Sequence, residues 1–152
     1  MRLFHKLFIK FLKLYKNMKI QGQFKIGSEG AAGADLFIKD IHVKGNQATI
    51  HTGVRVEIPF GYAGLLFARS SLSKTGWILG NSVGVIDSDY RGEIIVKLRY
   101  IGDADDYSAP FEIFDRIAQL VVVSCIYPNL WEVGDVDLNT KRGSGGFGST
   151  GK

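Results

Sequence analysis

Short apolar runs separated by turn residues dominate the chain after residue 17. Alternation of apolar and polar positions is clearest at residues 54–58, where Val54, Val56 and Ile58 flank Arg55 and Glu57. This period of two is typical of a strand with one buried face. The other predicted strands lie at residues 18–26, 36–38, 48–50, 65–68, 83–86, 94–100 and 117–126. Many short strands at this spacing predict an all-β sandwich, jelly roll or distorted barrel.

Turn residues mark the ends of these runs. Gly, Asn, Asp or Pro stands in the gaps at residues 45–46, 59–61, 80–81 and 102–103. The run at residues 121–123 is apolar at every position, so it is predicted to be interior. A short helix is predicted around residues 71–75, and no sustained helical periodicity follows residue 17.

Residues 1–17 have a different pattern. A helix over this stretch would place one apolar face opposite a row of lysines, which makes it basic and amphipathic. The apolar face consists of Phe4, Leu7, Phe8, Phe11, Leu12 and Tyr15. Such a segment could contact an anionic membrane or help to address the chain to an organelle. The alternative is that Met18 is the functional start and that the extension is dispensable.

Charge and length limit the function classes. The chain has 152 residues, which suits one domain with its own core. Residues 1–17 hold five of the 19 Lys and Arg and none of the 15 Asp and Glu. The whole chain has a net charge of +4, but residues 18–152 alone have a net charge of −1. A surface for nucleic acid is therefore not predicted. No apolar run approaches the roughly 18 residues that span a bilayer.

The single cysteine and the three histidines suggest no metal site. Cys125 lies in an apolar run and is predicted to be a buried thiol in a reducing compartment. His5, His42 and His51 have no Cys or His neighbours at ligand spacing, so bound zinc is not expected. The expected location is cytoplasmic, or nuclear or organellar in a eukaryotic source, and not secreted.

Residues 84–94 carry an unusual group of polar side chains. Apolar runs lead in and out, and glycines at 84 and 92 bracket a polar bend, which predicts a hairpin. Its tip holds Asp87, Asp89, Tyr90, Arg91 and Glu93. Asn-Gly or Asp-Gly alone would reverse the chain, so this group is predicted to carry chemistry. The alternative is a charged surface hairpin.

The glycine-rich end of the chain, residues 139–152, is predicted to be flexible without a ligand. Its amides, hydroxyls and one guanidinium are groups that can cradle phosphate, and its phenylalanine can stack on a base. These residues are Arg142, Gly143, Gly145, Gly146, Phe147, Ser149 and Thr150. The alternative is a disordered linker.

Five segments, taken in order, resemble the five motifs of the trimeric dUTP pyrophosphatases, or dUTPases. They are AGADL at residues 32–36, ARSSL at 68–72, GVIDSDYRGEI at 84–94, DRIAQL at 115–120 and RGSGGFGSTG at 142–151. The match covers about residues 20–151, and five motifs in sequence are far more specific than one. Two departures concern backbone geometry: Ala68 replaces the usual Pro, and Phe114 replaces the usual Gly.

The resemblance implies a distorted jelly-roll, or β-clip, domain at residues 18–138, preceded by the extension and followed by a lid at residues 139–152. It implies a homotrimer whose active sites are shared between subunits and closed by the lid. The implied reaction is hydrolysis of dUTP to dUMP and pyrophosphate. This reaction limits uracil incorporation into DNA and supplies dUMP for dTMP synthesis.

The resemblance also implies roles for the predicted hairpin. Asp87 matches the base that aligns a water for in-line attack on the α-phosphorus, and its alternative role is to cap a turn. Tyr90 resembles the ring that packs on deoxyribose and excludes a 2′-hydroxyl; alternatively it packs on its own sheet. Uracil would be bound by backbone and one side chain at Asn81, Gly84, Val85 and Ile86. The amine of cytosine would face a donor there, which disfavours cytosine.

The triphosphate is implied to meet groups from three motifs. These are Arg69, Ser70, Ser71, Gln119, Arg142, Gly145, Gly146, Gly148, Ser149 and Thr150, with Ser70 at the scissile bridge, whereas Phe147 would stack on the base. Mg²⁺ is implied, bound through phosphate oxygens and waters, with Asp35 linked to it through water. Alternatively, Arg69 or Arg116 pairs with acids at subunit contacts and Asp35 caps a turn. Arg116 is assigned to structure more than to ligand binding.

Two other functions compete with this interpretation. A dCTP deaminase shares the fold, but its catalytic glutamate would fall at Lys97 and its arginine at Lys74, and neither residue can serve. A nucleotide-sensing interaction protein could use the same pocket to control a partner. Asp87, Tyr90 and the glycine-rich tail together favour turnover.

Overall fold

The computed structural model describes residues 18–102 and 107–145. The predicted amphipathic extension at residues 1–17 and the tail residues 146–152 lie outside these ranges. Within them, strands predominate and the helices are two short 3₁₀ segments, Ser70–Lys74 and Pro128–Leu130. The all-β prediction and the short helix near residue 71 are confirmed. None of these described helices has the length and apolar character needed to cross a membrane.

In the described part of the chain, eleven strands form three antiparallel sheets. The five-stranded sheet contains, in spatial order, β2 (Phe24–Ile26), β3 (Ala34–Phe37), β11 (Arg116–Ser124), β7 (Tyr62–Ala68) and β9 (Gly84–Ile86). The four-stranded sheet contains β4 (Asp40–Lys44), β5 (Gln47–His51), β10 (Ile95–Tyr100) and β8 (Trp77–Leu79). The third sheet pairs β1 (Lys19–Gln21) with β6 (Arg55–Glu57).

One cluster of buried side chains joins the two larger sheets. It includes Leu36, Leu66 and Leu120 from the five-stranded sheet and Ile50 and Val96 from the four-stranded sheet. Exposed and buried positions alternate along β10, as expected for a strand with one face on the core. Each buried aliphatic side chain of this kind contributes about 1.5–3 kcal/mol, so the core fixes both sheets.

The predicted first strand at residues 18–26 is wrong, because the chain breaks at Gly22. β1 pairs with β6, whereas β2 pairs with β3 in a different sheet. Gly22 has a φ of 105°, and a Cβ there would lie 2.5 Å from the Gly53 carbonyl oxygen. Only glycine satisfies both conditions, and it redirects the chain from one sheet to the next.

The prediction that residues 121–123 are interior is also wrong for the subunit, since all three valines are only half-buried. Val122 is opposite Gly64 and packs against the core, while Val121 and Val123 lie on the opposite face of the five-stranded sheet. That face is apolar and only partly covered by described residues. Cys125, just beyond β11, is half-buried and free, so it is not the buried thiol that was predicted.

The segment predicted as a hairpin connects two sheets instead. β9 pairs with β7, whereas β10 pairs with β5 and β8. The two arms therefore do not form a ladder with each other. The reversal itself is present, because the Tyr90 N–H donates to the Asp87 carbonyl oxygen at 3.1 Å. Both edges of β10 are already paired, which leaves no place for β9 beside it.

Candidate functional site

The turn that follows β9, residues 87–93, presents the predicted catalytic side chains; we call it the β9 turn. Asp87 is exposed immediately after the last residue of β9, and Tyr90 is 43% exposed. The Tyr90 hydroxyl donates to the Glu93 carbonyl oxygen at 2.9 Å. The turn therefore holds the Asp87 carboxylate and the Tyr90 ring at the surface, together with exposed Asp89.

Gly92 allows the Tyr90 ring to lie against the backbone of the turn. A Cβ at position 92 would be 2.2 Å from the Tyr90 hydroxyl oxygen, far closer than any real contact. Any other residue would displace the ring. This is the physical reason for a glycine two residues after the tyrosine.

The chain that enters β9 places Asn81 beside the strand. Ser82 has a φ of 60°, and the Val83 N–H donates to the Asn81 carbonyl oxygen at 2.6 Å, which forms a tight turn. A Cβ on Gly84 would lie 3.5 Å from Asn81 Nδ2 and 3.0 Å from Leu66 Cβ. The amide of Asn81 is therefore exposed next to Gly84, where it could bind a ligand at the start of β9.

A second group of polar residues forms at the far end of β7. Asp35 Oδ1 accepts from Arg69 Nε at 3.1 Å, and Asp35 Oδ2 accepts from Arg116 Nη1 at 3.0 Å. Arg69 Nη1 also donates to the Arg116 carbonyl oxygen at 3.3 Å. We call these three residues the arginine cluster. Two guanidinium groups share one carboxylate, which leaves an excess positive charge that suits an anion.

The arginine cluster opens into a cavity of about 340 Å³. Its lining includes Arg69, Ser71, Thr75, Phe114, Asp115 and Arg116. Ser70 and Ser71 begin the 3₁₀ helix after β7 and are exposed. Gln119 lies on β11 directly opposite Asp35. Residues from three of the five motifs thus meet here.

The β9 turn and the arginine cluster lie at opposite ends of β7. Ile86, next to Asp87, pairs with Gly64, whereas Arg69 comes directly after β7, five residues beyond Gly64. At about 3.3 Å per residue, this separation is roughly 16 Å. One subunit therefore does not bring Asp87 to the arginine cluster.

Arg142 lies in an exposed, locally folded tail. Its Nε donates to the Gly145 carbonyl oxygen at 2.9 Å, and the Gly145 N–H donates back to the Arg142 carbonyl oxygen at 3.1 Å. Gly143 has a φ of 53°. The structure therefore places Arg142 and Gly145 in a turn. The other tail residues of the predicted site lie outside the described ranges: Gly146, Phe147, Gly148, Ser149 and Thr150.

The sequence did not identify the partners of Glu93. Its Oε1 accepts from the Gly53 N–H at 2.6 Å and its Oε2 accepts from His51 Nδ1 at 3.1 Å. The hydrogen bond from His51 is the main cause that holds the Glu93 pKa below its ordinary value. His51 is 42 residues away in sequence, so no local pattern could have indicated the pair.

The described residues contain no group of three or more His, Cys, Asp or Glu that could hold a metal ion. Both carboxylate oxygens of Asp35 already accept hydrogen bonds from arginines. A divalent cation at this site would therefore need most of its ligands from substrate phosphates and water, which Mg²⁺ readily accepts.

Comparisons with known proteins agree on one family. The family description dUTPase matches residues 22–151. The deoxyuridine 5′-triphosphate nucleotidohydrolase of Escherichia phage T5 is 43% identical over 136 residues, covering 84% of this chain and 90% of the relative. That of Burkholderia thailandensis is 40% identical over 134 residues, covering 84% and 88%. The structure of Staphylococcus bacteriophage 80alpha dUTPase with dUpNHpp is similar, with a TM-score of 0.72, 27% identity and coverage of 90% and 99%.

Proposed function

The chain belongs to the dUTPase family, and we propose that it hydrolyses dUTP to dUMP and pyrophosphate with Asp87 as the base. The observation that best supports these roles is the β9 turn, which presents Asp87 and Tyr90 together at the surface. The names of the relatives and the dUpNHpp bound to the phage 80alpha dUTPase support the substrate.

The proposed reaction is an in-line displacement at the α-phosphorus. Asp87 accepts a proton from a water as the water oxygen forms a bond to phosphorus. The bond between the α-phosphorus and the bridging oxygen breaks, and pyrophosphate leaves with the bond electrons. Ser70 donates a hydrogen bond to that bridging oxygen as its negative charge develops.

Tyr90 is the proposed sugar discriminator. Its ring is 43% exposed, and its hydroxyl is fixed to the Glu93 carbonyl oxygen. A ring held in this way presents a flat face to deoxyribose, and a 2′-hydroxyl would collide with it. Exclusion by bulk is effective only if the ring cannot retreat, so the hydrogen bond is part of the specificity.

Uracil selection is proposed to use the start of β9. The Asn81 amide, adjacent to Gly84, and the backbone of Val85 and Ile86 offer donors and acceptors for the Watson–Crick edge. Cytosine would leave a donor facing its amine, and each buried polar group without a partner costs about 1–3 kcal/mol. The enzyme should therefore discriminate against dCTP.

The triphosphate is proposed to bind at the arginine cluster, with Ser70, Ser71 and Gln119 beside it. Mg²⁺ bound with the nucleotide would neutralise phosphate charge. Asp35 is proposed to act toward the ion only through water, because its oxygens are engaged by Arg69 and Arg116. Asp35 thus sets the position of both guanidinium groups relative to the phosphates.

A complete site is proposed to form between subunits of a homotrimer. The roughly 16 Å separation along β7 means that Asp87 and the arginine cluster of one subunit cannot act on the same phosphates. The five-stranded sheet also has an apolar outer face, where Leu65 and Phe67 are half-buried and Val85 is 65% exposed. A face of this kind is suited to contact with another subunit.

The glycine-rich tail is proposed to close the site on a neighbouring subunit. The chain before it is exposed and apolar, with Trp131 at 64% and Val133 at 100% exposure. Such a segment is expected to pack on another subunit. Arg142 would then reach phosphate, aided by backbone and hydroxyl groups at Gly145, Gly146, Gly148, Ser149 and Thr150, while Phe147 stacks on uracil.

The test is a pyrophosphate assay of the purified protein with Mg²⁺ and, separately, dUTP, dCTP, dTTP and UTP. Release from dUTP alone is expected, and equal release from all four would overturn the assignment. Asp87→Asn should retain dUTP binding with turnover nearly abolished. Unchanged turnover in this variant would remove Asp87 from its role.

A further inference from the structure

Glu93 is anchored through its side chain to a segment that is distant in sequence. Its two carboxylate oxygens accept from the Gly53 N–H at 2.6 Å and from His51 Nδ1 at 3.1 Å. The Glu93 side chain is 24% exposed and that of His51 34%. An ionised carboxylate only accepts hydrogen bonds, so Nδ1 of His51 carries the proton in this pair.

The same residue holds Tyr90 through its backbone. The Tyr90 hydroxyl donates to the Glu93 carbonyl oxygen at 2.9 Å, and the ring lies over Gly92. A displacement of the backbone at residue 93 would therefore displace the acceptor of the Tyr90 hydroxyl. Glu93 thus bonds to Tyr90 through its main-chain carbonyl and to residues 51 and 53 through its side chain.

Further contacts come from the same anchoring segment, residues 51–55. The Ile94 N–H donates to the Val54 carbonyl oxygen at 2.8 Å, and Thr52 Oγ1 donates to the Ile94 carbonyl oxygen at 2.6 Å. Arg55 Nη1 donates to the Arg91 carbonyl oxygen at 2.9 Å. These bonds fix the ends of the turn through main-chain atoms, whereas Glu93 contributes the side-chain anchor.

The charges around the pair come from β4 and the chain just before it. Lys39 adds a favourable charge for the Glu93 carboxylate. The His42 ring lies 6.1 Å from the His51 ring, and His42 Nε2 is 3.0 Å from Asp40 Oδ2. Asp40 thus pairs with His42, whereas Glu93 is the carboxylate that pairs with His51.

We propose that Glu93 is a positioning residue for Tyr90, and that the pair of Glu93 with His51 helps the enzyme to select dUTP over UTP. The inference rests on the proposed role of Tyr90 as the sugar discriminator. A side chain that excludes a hydroxyl by bulk must be held in place, because a small movement of the ring would admit the ribonucleotide. Glu93 provides this constraint without touching the substrate.

The test compares kcat/KM for dUTP and for UTP in the full-length protein and its variants. Glu93→Ala removes both side-chain hydrogen bonds, and the dUTP-to-UTP ratio is expected to fall about tenfold or more. Glu93→Gln keeps an acceptor for the Gly53 N–H but loses the charged pair with His51, so it should restore only part of the ratio. Glu57→Ala is the matched control, because Glu57 is an exposed carboxylate on β6 that pairs with Lys19 of β1. This variant should leave the dUTP-to-UTP ratio unchanged.

Coupling to Tyr90 provides the decisive readout. Tyr90→Phe removes the hydrogen bond to Glu93, so the effects of Tyr90→Phe and Glu93→Ala on the ratio should be non-additive. A folded Glu93→Ala protein with the wild-type ratio would overturn the inference. Should Glu93→Ala fail to fold, His51→Ala replaces it, and an unchanged ratio there would be equally fatal. A wild-type protein inactive on dUTP would instead refute the proposed function.

Discussion

Gly92 leaves the space in which the Tyr90 ring lies. In Gly92→Ala the new Cβ would lie 2.2 Å from the Tyr90 hydroxyl oxygen, so the ring must move. We expect the KM for dUTP to rise about tenfold, because small misplacements of binding groups are costly. Steady-state kinetics measures this. Gly27→Ala is the control, since a Cβ at position 27 meets nothing within 4 Å and should leave KM unchanged.

Phe114 is a strained residue that offers a test of stability. It has a φ of 75° and is 66% exposed, at a position where dUTPases usually have glycine. Left-handed backbone costs a non-glycine residue about 1–2 kcal/mol, partly offset by the greater entropy of unfolded glycine. Phe114→Gly should therefore raise the free energy of unfolding by about 0.5–1 kcal/mol. Denaturant unfolding of the purified variant measures the change.

The control for Phe114→Gly is the neighbouring residue. Ile113 is 43% exposed and has an ordinary φ, so Ile113→Gly adds glycine entropy without relieving strain. It should lower the free energy of unfolding by about 0.5–1 kcal/mol. Equal destabilisation by both substitutions would contradict the assignment of strain to Phe114.

Residue identities were easier to predict than their partners. The sequence singled out Asp35, Arg69 and Arg116 in three separate motifs, and the structure joins them in one cluster. The pattern could not indicate that Asp35 would accept from both arginines, because their separations of 34 and 81 residues carry no periodic signal. The pairing of β11 with both β3 and β7 brings these side chains together.

At the scale of elements, the connection between the two large sheets should become less stable at low pH. The hydrogen bond from His51 lowers the Glu93 pKa in the folded protein. A carboxylate whose pKa is lowered by folding stabilises the folded protein at pH values above its ordinary pKa. This stabilisation is lost as the pH falls through the pKa of the folded state. Below pH about 4.3, the wild type should therefore lose stability more steeply than Glu93→Gln. Tm measured from pH 7 to pH 3 compares the two.

The substitution leaves the other carboxylates in place, so the difference between the two Tm curves reports on the pair of Glu93 with His51. Glu57→Gln is the matched control, because Glu57 forms an exposed pair with Lys19 at 3.1 Å and such pairs contribute little. Its curve should run parallel to that of the wild type. Parallel curves for Glu93→Gln as well would contradict a stabilising pair with His51.

Strand positions followed well from alternation, but strand partners did not. Residues 54–58 and 94–100 were recognised as strands, since apolar side chains every second residue must face a core. The sequence could not show that β9 pairs with β7 or that Gly22 divides the first predicted strand. Pairing depends on which edges are free in the folded sheet, and the break at Gly22 depends on its contact with Gly53, 31 residues away.

At the scale of the whole molecule, removing the tail is expected to affect turnover without affecting oligomer assembly. Ending the chain before Arg142 removes the proposed lid but keeps the exposed apolar stretch that includes Trp131, Val133 and Val136. We therefore expect loss of turnover with the oligomer preserved. Size-exclusion chromatography with light scattering and the pyrophosphate assay measure the two properties. Full activity in this truncated protein would refute the proposal that the tail closes the site.

The family could be recognised from the sequence, because five motifs occur in order and each has a stated chemical role. The proposed division of the site between subunits could not be derived from residue spacing. It rests on the position of the β9 turn along β7, where Ile86 pairs with Gly64, five residues before Arg69. The sequence also could not show that residues 121–123 are only half-buried, since a strand that is apolar at every position resembles an interior one.

Mixed oligomers give the sharpest test of a shared site. Asp87→Asn removes the proposed base and Arg69→Ala removes a proposed phosphate ligand, so each variant alone should be inactive. A mixed trimer contains interfaces at which the Arg69→Ala subunit supplies an intact Asp87 and the Asp87→Asn subunit supplies an intact Arg69. Random assembly of equal amounts makes about a quarter of the interfaces intact, so refolding the two variants together should restore about a quarter of wild-type activity. If each site lay within one subunit, every site would carry one of the two defects. The mixture would then remain as inactive as either variant alone.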